Sequence, residues 1–217
     1  MPVSYLSLRR MSWSSAFALS LVLSLALTVA TPVSIQSKEF AKGSHDFIVE
    51  LADKAVKSLA APDIDTAERR LRFRKLMHDY FAVKVIAQWV LGRHWKRATE
   101  AERAEYLSLF ERLMVVIYAD RFAKYSGAAL EVVRAEVRNE KDTLVHSRIV
   151  KSGVEKSIDV AWRVRHKHDV FKIVDVMVEG LSMGLTQQKE FGSVIRQKAE
   201  GIEGLLKELR KRLAENG

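Results

Sequence analysis

The chain has 217 residues, 36 Lys and Arg against 27 acids for a formal charge of +9, and no cysteine. That composition excludes a disulfide framework, thiolate catalysis and thiolate metal sites, so the protein must hold itself together by core burial alone. The basic residues are spread along the chain, which suits a solvated surface able to steer toward anionic membranes, and nucleic acid is not an expected partner of an exported chain.

The amino terminus carries Arg9 and Arg10 and no acid, and Met11 to Ser37 is uncharged, with a nearly unbroken apolar run from Ala16 to Ala30. A short basic region, an apolar core and the small-residue exit Thr28-Val29-Ala30 predict a secretory signal peptide cleaved after Ala30. The alternative is an uncleaved anchor, but the apolar core falls short of the roughly 20 residues of a spanning helix. Met11-Ser12-Trp13 after the paired arginines points to the general secretion route. Residues 1–30 are therefore expected to be a leader and 31–217 one domain. Without Arg9 and Arg10, 34 basic residues face the 27 acids, a formal charge of +7.

Residues 44–60 set Phe47, Ile48, Leu51, Ala52, Ala55, Val56 and Leu59 on one helical face, ended by Ala61-Pro62. Asp65-Thr66-Ala67-Glu68 reads as a capping box for a second helix carrying Leu71, Phe73, Leu76 and Met77 toward Tyr80-Phe81. A third, strongly apolar helix covers roughly 82–91 and stops at Gly92, which suits a left-handed cap. Thr99-Glu100-Ala101-Glu102 is another capping box. The helix it opens runs to about Tyr125, closes at Gly127, and presents a wide apolar surface through Tyr106, Phe110, Leu113, Met114, Ile117, Tyr118 and Phe122.

Beyond Gly127 the period alternates, and residues 130–138, 143–151, 156–166 and 169–179 read as strands. In the third, Ile158, Val160, Trp162 and Val164 alternate with Ser157, Asp159, Ala161 and Arg163, so one face is buried and the other wet. The turns at 139–142, Ser152-Gly153 and 166–168 predict an antiparallel meander. From about Thr186 the chain is helical again, interrupted near Gly201 and Gly204, and ends in a basic helix with Lys207, Arg210, Lys211 and Arg212. The order of elements predicts an α+β fold with helices on one face of a curled four-stranded sheet.

Gly180-Leu181-Ser182-Met183-Gly184 fits the G-x-S-x-G nucleophile elbow and lies between a strand and a helix, so a serine esterase at Ser182 is one reading. No histidine follows His168, however, and the elbow needs one after the serine. The glycines are better explained by a tight exit from the last strand, with Leu181 and Met183 packed inward. His166 and His168 share a strand face but lack a third ligand, and are expected in a solvated hairpin turn. No catalytic group, cofactor or metal is expected. What remains is an excess of apolar and aromatic residues on both layers, compatible with a filled core or with an apolar pocket between helices and sheet.

The stretch YFAVKVIAQWVLGRHWKRATEAERAEYLSLFERLMVVIYADRFAKY, Tyr80 to Tyr125, resembles the toluene-tolerance family of periplasmic phospholipid-binding proteins of the MlaC type. The similarity is carried by V-L-G-x-x-W at Val90 to Trp95, A-T-x-x-x-R at Ala98 to Arg103 and the spacing of Tyr118 and Tyr125. A second block, IVDVMVEGLSMGLTQQKEFGSVI, matches through its E-G-x-S turn at Glu179 to Ser182. The resemblance implies a nuclear-transport-factor-2-like sheet with a helical layer enclosing an apolar pocket. It implies a periplasmic, monomeric carrier that shuttles phospholipid between an outer-membrane lipoprotein complex and an inner-membrane ABC transporter complex. A branch associated with hopanoid metabolism makes a hopanoid-like lipid the alternative cargo. Tyr118 and Leu181 match pocket positions of the family. Trp89, Phe110, Met114 and Phe122 are expected to line the pocket from the helices, and Ile158, Val160, Trp162 and Val176 from the sheet.

Overall fold

A computed structural model describes residues 33–59, 61, 63–124, 128–151, 153, 156–167 and 170–216, with the side chains of 33–36 and 121–124 outside that description. The expected leader at 1–30, Gly127 and His168 therefore lie outside the described residues. Among the described residues, six α-helices and five strands follow in the order α1 (Val33–Leu59), α2 (Thr66–Tyr80), α3 (Val83–Leu91), α4 (Glu100–Lys124), β1 (Ala128–Val137), β2 (Asp142–Lys151), β3 (Ile158–Lys167), β4 (Val170–Val178), β5 (Leu181–Ser182), α5 (Met183–Gln197) and α6 (Ile202–Asn216).

The helix starts behave as their residues dictate, with one exception. At α4 the box is reciprocal: Thr99 N–H donates to Glu102 Oε2 at 2.7 Å and Glu102 N–H donates to Thr99 Oγ1 at 3.2 Å. At α2 only half forms. Glu68 N–H donates to Asp65 Oδ1 at 2.7 Å, but the Glu68 carboxylate accepts from Arg72 Nε at 2.6 Å instead of reaching back. An arginine one turn along the helix outcompetes the backbone amide because its bond is charge-assisted. Gly92 ends α3 at φ +58°, and Gln188 of α5 donates to the carbonyl of Trp89 there at 2.6 Å.

The sheet is an antiparallel meander in the order β1-β2-β3-β4-β5. The fifth strand is two residues long and returns through a turn with positive φ at Glu179 and Gly180. Its shortness explains why alternation did not predict it. The register shifts at Val133 in β1 and at Val174 in β4, and each bulge adds local twist.

Two hydrophobic cores result. One lies between α1, α2 and a single face of the sheet, where Ile48, Leu51, Leu59, Leu76 and Tyr80 meet Val145, Val164 and Ile173. The other lies among α3, α4, α5 and α6, around Tyr106, Phe110, Leu113, Phe191, Leu205 and Leu209. The expected single helical layer on the sheet is thus two helices on the sheet and a separate helical core. The wide apolar surface of α4 is what demands the second core, since α5 and α6 cover it.

Candidate functional site

Cross-strand register makes the inner face of the sheet a ladder of apolar rungs. Leu130, Ile149 and Ile158 form the first; Val132, Ser147, Val160 and Val178 the second; Ala135, Val145, Trp162 and Val176 the third; Val137, Thr143, Val164 and Ile173 the fourth. Burial differs between its two ends, while the second and third rungs mix buried Ser147, Val160 and Val145 with half-buried neighbours. In the fourth rung Thr143, Val164 and Ile173 are 0% exposed, whereas every member of the first is only half-buried. The inner face is therefore sealed by α1 and α2 at one end and retains accessible hydrocarbon at the other. That open end is where α4 leads into β1: Lys124 and Ala128 are four peptide steps apart, at most about 15 Å.

The side-chain polar groups of the second and third rungs are satisfied within the sheet. Trp162 Nε1 donates to Ser147 Oγ at 2.8 Å, and Ser147 Oγ donates to the carbonyl of Val160 at 3.0 Å. Ser147 is 3% exposed, and leaving it or the indole N–H unpaired there would cost about 1–3 kcal/mol. This chain of bonds satisfies Trp162 and Ser147 without a ligand.

Of the expected pocket residues, Ile158, Val160, Trp162 and Val176 come together on adjacent rungs. Tyr118 is half-buried on α4, and the side chain of Phe122 lies outside the described residues. The others are placed elsewhere. Phe110 is 2% exposed and packs edge-on against Phe191 in the helical core, and Met114 packs against the same cluster. Trp89 belongs to that cluster too, wedged against Gly184 with Arg163 stacked over its ring at 5.4 Å. Leu181, expected to point inward, is 66% exposed, because the positive-φ turn before it swings β5 outward. Leu130, Ile149 and Val178 were not anticipated; Val178 shares the phase of Val176, but only the register shows that Leu130 and Ile149 complete the same rungs.

The G-x-S-x-G segment is a structural corner. Ser182 has an ordinary φ of −64°, and its hydroxyl accepts from Leu185 N–H while donating to Asp175 at 2.7 Å. That is a helix cap rather than the strained turn of an elbow. Asp175, 7% exposed, also accepts from the amides of Val176 and Gly184. Gly184 is glycine because a Cβ there would sit 2.0 Å from the Trp89 ring. The expected solvation of His166 is also corrected: its ring stacks on Phe40 at 3.6 Å between α1 and β3.

The sequence model of the MlaC protein family matches residues 49–211, more than half of the chain. The chain belongs to the MlaC family. In three dimensions this MlaC-family protein is similar to a phospholipid-binding protein from Ralstonia solanacearum, solved in complex with a phospholipid. The two share 20% sequence identity and a TM-score of 0.71, over 79% of this chain and 97% of the other. The likeness shows the fold, an α+β arrangement around an antiparallel sheet, and family membership agrees with it.

Proposed function

We propose that this MlaC-family protein is a non-catalytic carrier that hides the acyl chains of a phospholipid against the open rungs of its sheet. The observation that carries the reading is the difference between the ends of the inner face, fully buried at Val164 and Ile173 and only half-buried at Leu130, Ile149 and Ile158. Its family and the phospholipid bound by a protein of the same fold support it. Burying hydrocarbon is worth about 0.8 kcal/mol per methylene, so two acyl chains bind tightly without any fixed contact to the headgroup. Weak headgroup discrimination follows.

In this reading the leader is removed after Ala30, and the mature monomer works in the periplasm. There it passes lipid between an outer-membrane lipoprotein complex and an inner-membrane ABC transporter complex. Native mass spectrometry of protein purified from the periplasm tests both parts. The expected result is one polypeptide beginning at Thr31 with a co-purifying phospholipid mass. A hopanoid mass would replace the cargo and keep the carrier. Protein that emerges free of lipid and takes none from vesicles would overturn the reading.

A further inference from the structure

Away from the sheet, α2 and α4 enclose two adjoining cavities of about 360 and 330 Å³ that share Arg74 and Arg112 as lining residues. The floor of the larger is apolar, made by Ala67, Leu71, Val115, Val116 and Leu213 of α6, and its remaining lining is Arg70, Arg74 and Arg112. Cross-helix pairs bound the groove. Arg70 reaches Asp120 at 2.9 Å and the carbonyl of Asn216 at 2.8 Å, and Arg74 and His78 reach Glu111 at 3.4 and 3.0 Å. Glu111 and Asp120 are nine residues apart on α4, about 13 Å at the helical rise, enough for about four extended residues.

Two features of the groove are unspent. Leu71 is 60% exposed in its lining, and Arg112 makes no ion pair or hydrogen bond among the described residues. An apolar floor beneath guanidinium groups complements a peptide that carries an apolar anchor between carboxylates, since the planar fork of arginine matches a carboxylate two bonds at a time.

We propose that this groove docks an acidic segment of a partner protein, seating an apolar side chain on Leu71, Val115 and Val116 and carboxylates on Arg74 and Arg112. The proposal rests on the carrier reading, in which lipid is received from and handed to other proteins. The groove is lined by none of the rung residues, so docking and cargo are separable.

The test uses the mature protein with its bound lipid and a fluorescein-labelled peptide bearing a leucine stripe flanked by glutamates. A lysine-flanked counterpart and vesicles with and without anionic lipid are the controls. The glutamate peptide binds with salt-sensitive affinity and the lysine peptide does not. Arg112→Glu and Arg74→Glu each weaken binding at least about tenfold, and Leu71→Ser several-fold, while the lipid mass on each variant is unchanged. The double reversal of Arg74 and Arg112 switches preference to the lysine peptide, which a misfolded variant would not do. Failure of the glutamate peptide to bind, equal binding to wild type and variants, or arginine-dependent association with anionic vesicles alone overturns the proposal. Loss of lipid with peptide binding intact would sink the carrier reading and leave the docking groove standing.

Discussion

At the scale of single residues, the corner between β4 and α5 is the most tightly specified place in the molecule. Gly184→Ala pushes a methyl into the Trp89 ring, and overpacking of a buried contact costs about 1–3 kcal/mol. Its urea midpoint is expected to fall, and to recover when Trp89→Leu is added; an unchanged midpoint would mean that the helices slide apart freely. A second residue-scale prediction concerns acid. Asp142, 6% exposed, accepts two bonds from Arg165 at 2.7 and 2.8 Å, and these bonds hold its pKa below the ordinary 3.8. A depressed carboxylate contributes stability that is complete above the unfolded value and is lost as pH falls through the folded one. Asp142→Asn is therefore less stable at neutral pH by about 1–2 kcal/mol, a modest figure because Arg165 is 42% exposed. Denaturation series at falling pH are expected to show wild type and variant converging below 3.8; a constant gap would assign the bond no role in acid sensitivity.

At the scale of elements, α4 does two things. Its flank builds the helical core through Tyr106 and Phe110, and its last turns deliver the chain to the open end of the sheet. Its start depends on the reciprocal box at Thr99, so Thr99→Ala is expected to lower stability by about 1 kcal/mol, read from denaturant unfolding. Glu68→Ala at α2 is expected to cost less than Glu102→Ala at α4, since the Glu68 carboxylate bonds Arg72 and not the helix start. Both capping boxes were legible as residue patterns. Only the first could be trusted as a geometry, because the sequence alone does not show which of two donors a glutamate prefers.

At the scale of the whole molecule, the separation of two cores predicts a separation of phenotypes. Ile158→Asp places a charge on a half-buried rung, so the protein is expected to fold and to lose its lipid by extraction and mass spectrometry. Phe110→Ala opens a cavity in the helical core and is expected to cost about 3–5 kcal/mol, with the lipid composition of the folded fraction unchanged. The opposite pattern would move the cargo to the helices. This comparison matters because the aromatic stripe of α4 and the alternation of β3 look equally like pocket linings in the sequence. Tertiary structure assigns Phe110 and Met114 to packing among helices and Ile158, Val160, Trp162 and Val176 to the inner face of the sheet, where Val160 is buried and the other three are half-buried.

What the sequence determined by itself was everything with a short repeat: the helical stripes, the period-two strands, the turn chemistry at 139–142 and the caps at Asp65 and Thr99. These follow from covalent geometry and from which side chains water rejects, and both act between near neighbours. Which apolar residues remain in contact with water was decided only by the tertiary structure. Periodicity says that a side chain faces away from solvent on its own element, but not whether another element reaches far enough to cover it. The bulges at Val133 and Val174, the turn before the exposed Leu181, and the packing that buries Ile173 but leaves Ile158 half-buried are properties of packed elements, and they decide where hydrocarbon stays accessible.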